Sequence, residues 1–387
     1  MPGRGQVLGG CFLGTSKKIA FIVIGWFLLL IPGIIIIELL FGGWIIEDEW
    51  RPASQINVLR HYEVHFDIAH LYPHEQKIVI YKRDENGLRM DCMGPENVDI
   101  LTVGGSTTDQ TYLHLKDTFQ SVLGQKLSKD LGQKICIANA GIDGHSSWGH
   151  LLSFKHWFPA IKNLKPKHII FYVGINDANF GRLIQEKPDY DVRPKSLMKY
   201  IYKQSAFAGM AIYIKHAILN DGNRVAYGRK IHFKPAQYTE ATLTPGTAEL
   251  ARKNALRFRE RMQHLVAHAK RLGARAICVT QPHRLAKDGK GIRKAFPYNG
   301  KIYNGLDYDY SIRQLNAQMQ QVCGAENVID LYGADFSKQD FYDYVHTTDK
   351  GARKIAERLY EAYRDQGLDK DLVTLKSIAG SKEAGKA

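Results

Sequence analysis

The chain has 387 residues, 44% hydrophobic and 24% charged, ordinary globular values that exclude disorder over most of its length. With 53 Lys plus Arg against 39 Asp plus Glu, the formal net charge is +14. That balance favours anionic partners such as acidic lipid headgroups, acidic polysaccharide or nucleic acid, without choosing among them. Five cysteines with no C-x-x-C pair exclude a disulfide-dense scaffold and offer no zinc site.

From the N-terminus, the first feature is the run Ile19–Ile37, which holds 19 residues without a charge. As a helix it would be about 28 Å long, close to the thickness of a bilayer core. Glu38 interrupts the pattern, which then continues to Ile46, so residues 19–46 are read as a transmembrane anchor helix. Pro32-Gly33 is tolerated in a membrane helix, and Trp44 and Trp50 suit the interfacial belt. Arg4, Lys17 and Lys18 precede the run, whereas Glu47, Asp48 and Glu49 follow it. The basic side stays in the cytoplasm, so residues 1–18 are predicted to be cytoplasmic and the rest extracytoplasmic, on a single-pass protein of the cell (inner) membrane. Cys136 and Cys278 sit in apolar strand-like runs and read as packed thiols, and no structural disulfide is expected.

Residues 47–95 read as a linker with a small β-ribbon. The runs YEVHFDIA and KIVIYKRDENGLRMD alternate, and Glu85-Asn86-Gly87 is a hairpin turn signal. Further on, apolar runs predict strands at 98–103, 134–141, 168–174, 275–282 and 327–332. Helices are predicted over 117–129, 146–164, 251–272 and 350–363. Strands apolar on both faces and separated by helices imply a three-layer α/β/α fold around a mostly five-stranded parallel sheet. Residues 178–246 break the alternation with a basic, aromatic-rich stretch and are read as a lid or substrate insert. The tail 373–387 is expected to be mobile.

Four loops at predicted strand ends carry unusual residues. They are Gly104-Gly105-Ser106-Thr107-Thr108, Asn139-Ala140-Gly141-Ile142-Asp143-Gly144, Gly174-Ile175-Asn176-Asp177 and Asp343-Tyr344-Val345-His346. Each alone is an ordinary turn. As a set they supply a serine, a base to take its proton and an acid three residues before that base to orient it. The backbone N–H groups of Ser106 and Gly144 and the side-chain amide of Asn176 can serve as oxyanion donors. The Walker lysine is missing, the glycines at 141, 144 and 149 do not fit G-x-G-x-x-G, and His61 and His65 lack an HExxH context. No metal or cofactor is expected.

On these four ordered blocks, spread over roughly residues 96–370, the chain resembles the SGNH (GDSL-type) hydrolase family. The resemblance implies a flavodoxin-like domain over 96–372. It also implies Ser106 as nucleophile, Asp343 and His346 as its partners, and an oxyanion hole of Ser106, Gly144 and Asn176. One departure stands out: the family's usual Gly-Asp-Ser reads Gly104-Gly105-Ser106 here. Membrane-tethered members with a Gly-Gly-Ser-Thr-Thr block resemble proteins that edit acyl groups on bacterial surface polysaccharides. Arg284, after the fourth predicted strand, is read as a substrate contact.

The expected activity is therefore that of a membrane-anchored serine esterase removing O-acetyl or other short acyl groups from a carbohydrate. Transfer of the acyl group to a sugar hydroxyl would use the same residues. Two further readings are a lipid acyl hydrolase and a non-catalytic glycan-binding protein. Nucleic acid is not an expected partner, because the positive charge is spread along the chain. The lipid bilayer is expected to meet residues 19–46.

Overall fold

A computed structural model describes residues 15–44, 50–178, 201, 204–211, 225–227, 238–289, 292–295 and 303–373. The chain divides into two units, residues 1–49 with 193–221, and residues 50–192 with 222–387.

In the first unit, helix α1 spans Thr15–Phe41 and runs through Pro32. Its window Ile24–Phe41 has a mean hydropathy of 2.5 and none of it is buried. By length and composition it can cross a membrane, and a signal sequence would pass the same test.

The second unit opens with the short helix α2 (Arg51–Gln55) and an antiparallel pair, β1 (Tyr62–Asp67) and β2 (Ile78–Arg83). The turn at Glu85-Asn86-Gly87 forms after β2, with Gly87 at φ 78°. It leads Arg89 into a single antiparallel bridge with Asn139 rather than into a further ribbon strand. Then follow β3 (Ile100–Gly104), the one-turn helix α3 (Ser106–Asp109), α4 (Phe119–Leu131), β4 (Ile137–Gly141), α5 (Ser147–His156) and β5 (His168–Tyr172). Strand β6 (Val225–Tyr227) pairs parallel with β1, and β7 (Thr239–Glu240) belongs to a small separate sheet. The chain closes with α6 (Thr247–Arg271), β8 (Arg275–Val279), β9 (Ala286–Gly289), β10 (Ile292–Ala295), α7 (Gly305–Cys323), β11 (Val328–Ile329) and α8 (Asp349–Asp365).

The main sheet has the order β11-β8-β5-β3-β4, and its neighbouring strands are parallel. In chain order this is the 2-1-3-4-5 arrangement of doubly wound folds, whose ligand crevice opens at the carboxyl ends where the winding reverses, here between β3 and β5. Residues alternate across the sheet, as strand geometry requires. Leu101, Val103, Ala138, Ile169, Phe171 and Cys278 join the core beneath α5, α6 and α7. Ile100, Ile137, Ile170, Tyr172, Ile277 and Val279 join the core beneath α4 and α8. The fold is thus three layers, α/β/α, around five parallel strands.

Two helices differ from expectation. α5 ends at His156 instead of continuing toward residue 164. Pro159 follows within a single 3-10 turn, and Asn163 takes a positive φ of 63°, neither of which continues an α-helix. α7 is an additional helix, although Asn304 and Asp307 form a capping box before Ile312, Leu315 and Met319. Most of the expected insert over 178–246, residues 374–387 of the tail, residues 1–14 and residues 45–49 lie outside the described residues.

The expectation of no disulfide is overturned. Cys92 bonds Cys136 and Cys278 bonds Cys323, with Cα–Cα distances of 5.8 and 6.4 Å. Periodicity correctly reads Cys136 and Cys278 as core positions. Their partners come from the segment after the ribbon and from the end of α7, so the pairing cannot be seen in either strand. Each bridge closes a loop of about 45 residues, worth roughly 2–4 kcal/mol of stability. Alkylation of the denatured, unreduced full-length chain is expected to add one label, on Cys11. Reduction first is expected to raise this to five, read by intact mass.

Candidate active site

Register brings the first three motif loops to one edge. Gly104 lies opposite Gly141 on one side and Tyr172 on the other, so the chain leaves β3, β4 and β5 at the same level. Close packing then fixes a glycine in each of the first two blocks. A Cβ on Gly104 would lie 2.4 Å from the Tyr172 carbonyl oxygen. One on Gly141 would lie 2.3 Å from the Asp109 nitrogen. α3 is therefore pressed onto the strand ends with only glycine between.

A four-residue helix cannot hold itself together. α3 is held instead by polar side chains that capture its carbonyls. Asn139 Nδ2 donates to the Thr108 carbonyl at 2.8 Å, and Gln120 Nε2 donates to the same oxygen at 2.9 Å. Arg89, 1% exposed, donates from Nη1 to the Asp109 and Gln110 carbonyls, 2.8 Å each, and from Nη2 to that of Leu113. Arg83, also buried, pairs with the Asp109 carboxylate at 2.6 Å and donates to the Gly141 carbonyl. The Tyr81 hydroxyl donates to the same carboxylate at 2.8 Å. The sequence alone singles out none of Tyr81, Arg83 and Arg89.

Ser106 begins this turn, and the structure brings it to His346, 240 residues away. His346 Nε2 lies 2.7 Å from Ser106 Oγ, and His346 Nδ1 lies 2.5 Å from Asp343 Oδ2. Asp343 Oδ1 accepts from the backbone N–H groups of Val345 and His346, at 2.9 and 2.7 Å. A bridge between Phe341 and Thr347 closes the base of the loop, and the Tyr342 N–H donates to the His346 carbonyl at 3.0 Å. The imidazole stacks on Tyr342 at 5.6 Å between centroids and 8° between planes, and Tyr342 stacks in turn on Tyr72. These two tyrosines also escape sequence reasoning, since each looks like any half-buried aromatic.

Burial disfavours a charged imidazole at His346. The Asp343 carboxylate, the hydrogen bond to it and the more distant Asp143 outweigh burial and raise the pKa above the ordinary 6.5. Burial likewise pushes Asp343 upward, but the His346 charge and the hydrogen bonds it accepts hold it below the ordinary 3.8. The pair therefore favours aspartate with a histidine ready to take a proton.

The other candidate donors follow β4 and β5 at the same sheet edge. Gly144 has φ 76°, a left-handed conformation that suits glycine. Asn176 Nδ2 donates to the His145 carbonyl at 2.9 Å, and an amide nitrogen has a second N–H to offer. Gly105 fills the space beside that amide: a Cβ there would lie 2.4 Å from Asn176 Nδ2 and 3.1 Å from the His145 oxygen. The usual aspartate cannot stand at 105 unless Asn176 moves. Asp177 is turned elsewhere; it accepts from the Ser147 N–H and hydroxyl and pairs with Arg261, so it anchors the start of α5. Arg284 supports the histidine loop through its backbone, its N–H donating to the Tyr344 carbonyl at 2.8 Å. Its Nη1 is buried without a hydrogen-bond partner among the described residues.

A hydroxyl, an imidazole and a carboxylate in line, beside strand-end donors, can carry out acyl transfer through a covalent intermediate. The family model of the GDSL-like lipase/acylhydrolase family matches residues 102–354. The chain belongs to that family and is an ester-hydrolysing serine hydrolase. A search of curated proteins finds no match. Among solved structures it is similar to an acetyl xylan esterase, AlAXEase, at 13% identity over 68% of this chain and 98% of that one, with a TM-score of 0.38. It is similar also to a catalytic mutant of an acetylxylan esterase from Geobacillus stearothermophilus, at 13% identity over 69% and 92%, with a TM-score of 0.36. A lipase from a goat rumen metagenome matches at 13% identity over 68% and 97%, with a TM-score of 0.40.

Gly105→Ala is expected to displace the Asn176 amide and lower kcat toward the 10²–10³-fold loss of one oxyanion donor. Asn176→Ala should lower kcat alone by a similar factor and make Gly105→Ala nearly silent in the double variant. Because His346 must be neutral to act as a base, kcat/KM is expected to fall as pH drops through an apparent pKa above 6.5. Asp343→Asn should lower both the plateau and that pKa, as read from the acid limb of the profile.

Proposed function

We propose that the protein is a membrane-anchored, extracytoplasmic serine esterase that removes O-acetyl or other short acyl groups from a carbohydrate through an acyl-enzyme. The observation that carries the reading is the Ser106–His346–Asp343 line, at 2.7 and 2.5 Å. In this reading His346 Nε2 takes the Ser106 proton as Oγ attacks the ester carbonyl carbon. The developing oxyanion is met by the Ser106 and Gly144 N–H groups and the Asn176 amide. As the tetrahedral intermediate collapses, the C–O bond to the sugar breaks and His346 returns the proton to the departing hydroxyl. Water then repeats the sequence on the acyl-enzyme and releases the acid.

Three features support the location. α1 is apolar over a membrane-spanning length, and its flanking charges favour a cytoplasmic N-terminus. The two disulfides fit an oxidising compartment. The carbohydrate assignment rests on the basic, aromatic-rich sequence of 178–246 and on the buried Arg284 Nη1, whose positive charge suits an acidic glycan.

Hydrolysis of p-nitrophenyl acetate is expected to fall by at least about 10³-fold in Ser106→Ala and His346→Ala. A fluorophosphonate probe is expected to label the native chain and not Ser106→Ala. Equal rates for native and Ser106→Ala protein would remove the proposal.

A further inference from the structure

We infer that residues 204–211 form a second membrane-associated segment, latched to α1 by Glu38 and seated in the interface of an anionic bilayer. The inference rests on reading α1 as a membrane anchor. Glu38 is the acid within α1, and a carboxylate in a membrane span is costly unless donors meet it. The donors come largely from the insert. Ser205 Oγ donates to Glu38 Oε1 at 2.5 Å, the Ala206 N–H to Oε2 at 2.9 Å and the Phe207 N–H to Oε1 at 3.3 Å. Trp44 Nε1 adds a fourth bond at 2.9 Å. Beside them, the Gly43 N–H donates to the Gln204 carbonyl at 2.9 Å. Residues 206–211 are helical, so Glu38 meets backbone N–H groups that a first helical turn leaves unpaired.

The surface that this latch presents is apolar. Ile201, Phe207 and Met210 are 41%, 36% and 49% exposed, in the same unit as the exposed apolar side chains of α1. The sequence Gln204–Ile214 carries no charge. It is about half the length needed to cross a bilayer, so it suits the interface rather than a second crossing. Lys195, Lys199 and Lys203 precede it at four-residue spacing, and Lys215 follows it. Lysines bracketing an apolar stretch match anionic headgroups around an acyl boundary. An exposed apolar surface hydrogen-bonded to a membrane helix through a carboxylate is explained by lipid as its cover.

The test uses the full-length chain with Cys11→Ser, carrying single spin labels at Ile31→Cys, Phe207→Cys, Met210→Cys or Leu256→Cys. Leu256, on α6, is 49% exposed and serves as the water-facing control. The proteins are reconstituted in phosphatidylcholine vesicles containing phosphatidylglycerol, and collision with oxygen is compared with collision with a water-soluble nickel chelate. Positions 31, 207 and 210 are expected to favour oxygen, and 256 the chelate. Labels at 207 and 210 that behave like 256, while 31 stays in lipid, overturn the inference and leave the anchor intact. A label at 31 that behaves like 256 overturns both. Adding Glu38→Ala is expected to raise chelate access at 210 several-fold, and an unchanged depth overturns the latch.

Discussion

Ser106 stands on a single helical turn that has too few internal hydrogen bonds to exist alone, and the surroundings are arranged to hold that turn still. Its carbonyls are taken by Asn139, Gln120 and Arg89, and its one acid by Arg83 and Tyr81. Asp109 is 4% exposed, and an uncompensated charge at such a site costs about 3–5 kcal/mol. The ion pair is therefore weak evidence of net stability but strong evidence of position: the turn cannot shift without stranding a buried carboxylate. The ribbon and the turn after it supply both arginines, so this small sheet acts as a support for the Ser106 turn rather than as a separate decoration.

The histidine side is built by different means. Its loop is short and closed by one bridge, with the acid three residues before the base, so Asp343 reaches both the ring and the loop's own N–H groups. The ring plane is set by stacking on Tyr342 and Tyr72. Tyr72 lies between β1 and β2, and its hydroxyl donates to the Tyr112 carbonyl at 2.8 Å. The segment that supports Ser106 thus also supports His346. Two groups 240 residues apart share one frame, which is what proton transfer over 2.7 Å demands.

What can be read from sequence follows from how many residue types can perform each task. A nucleophile, a base, an acid and glycines at strand ends have few substitutes, so the four blocks around Ser106, Gly144, Asn176 and Asp343–His346 are legible. Strands buried on both faces give the parallel sheet. Arg83 is not legible, because in KRDENG a buried guanidinium looks like the solvated charge of any turn. Tyr72 and Tyr342 act through ring geometry, which leaves no spacing rule. α7 carries a readable signal in Asn304-x-x-Asp307, but its length is masked by the polar residues of its outer face. The disulfides fail for another reason: apolar neighbours correctly place Cys136 and Cys278 inside, and nothing local says whether a buried sulfur is free.

Gly105 shows how one substitution in a motif can be conservative for chemistry and restrictive for structure. The aspartate usual at this place is no part of the proton path, so its loss leaves the hydroxyl, imidazole and carboxylate intact. Its side chain, however, would need the volume that the Asn176 amide now occupies, 2.4 Å from where a Cβ would stand. With glycine there, the Asn176 amide can lie beside Gly105 while bonding the His145 carbonyl. The third block is thereby tied to the residue that follows the second, beside the first. Position 105 consequently cannot take the family's usual aspartate without moving the Asn176 amide.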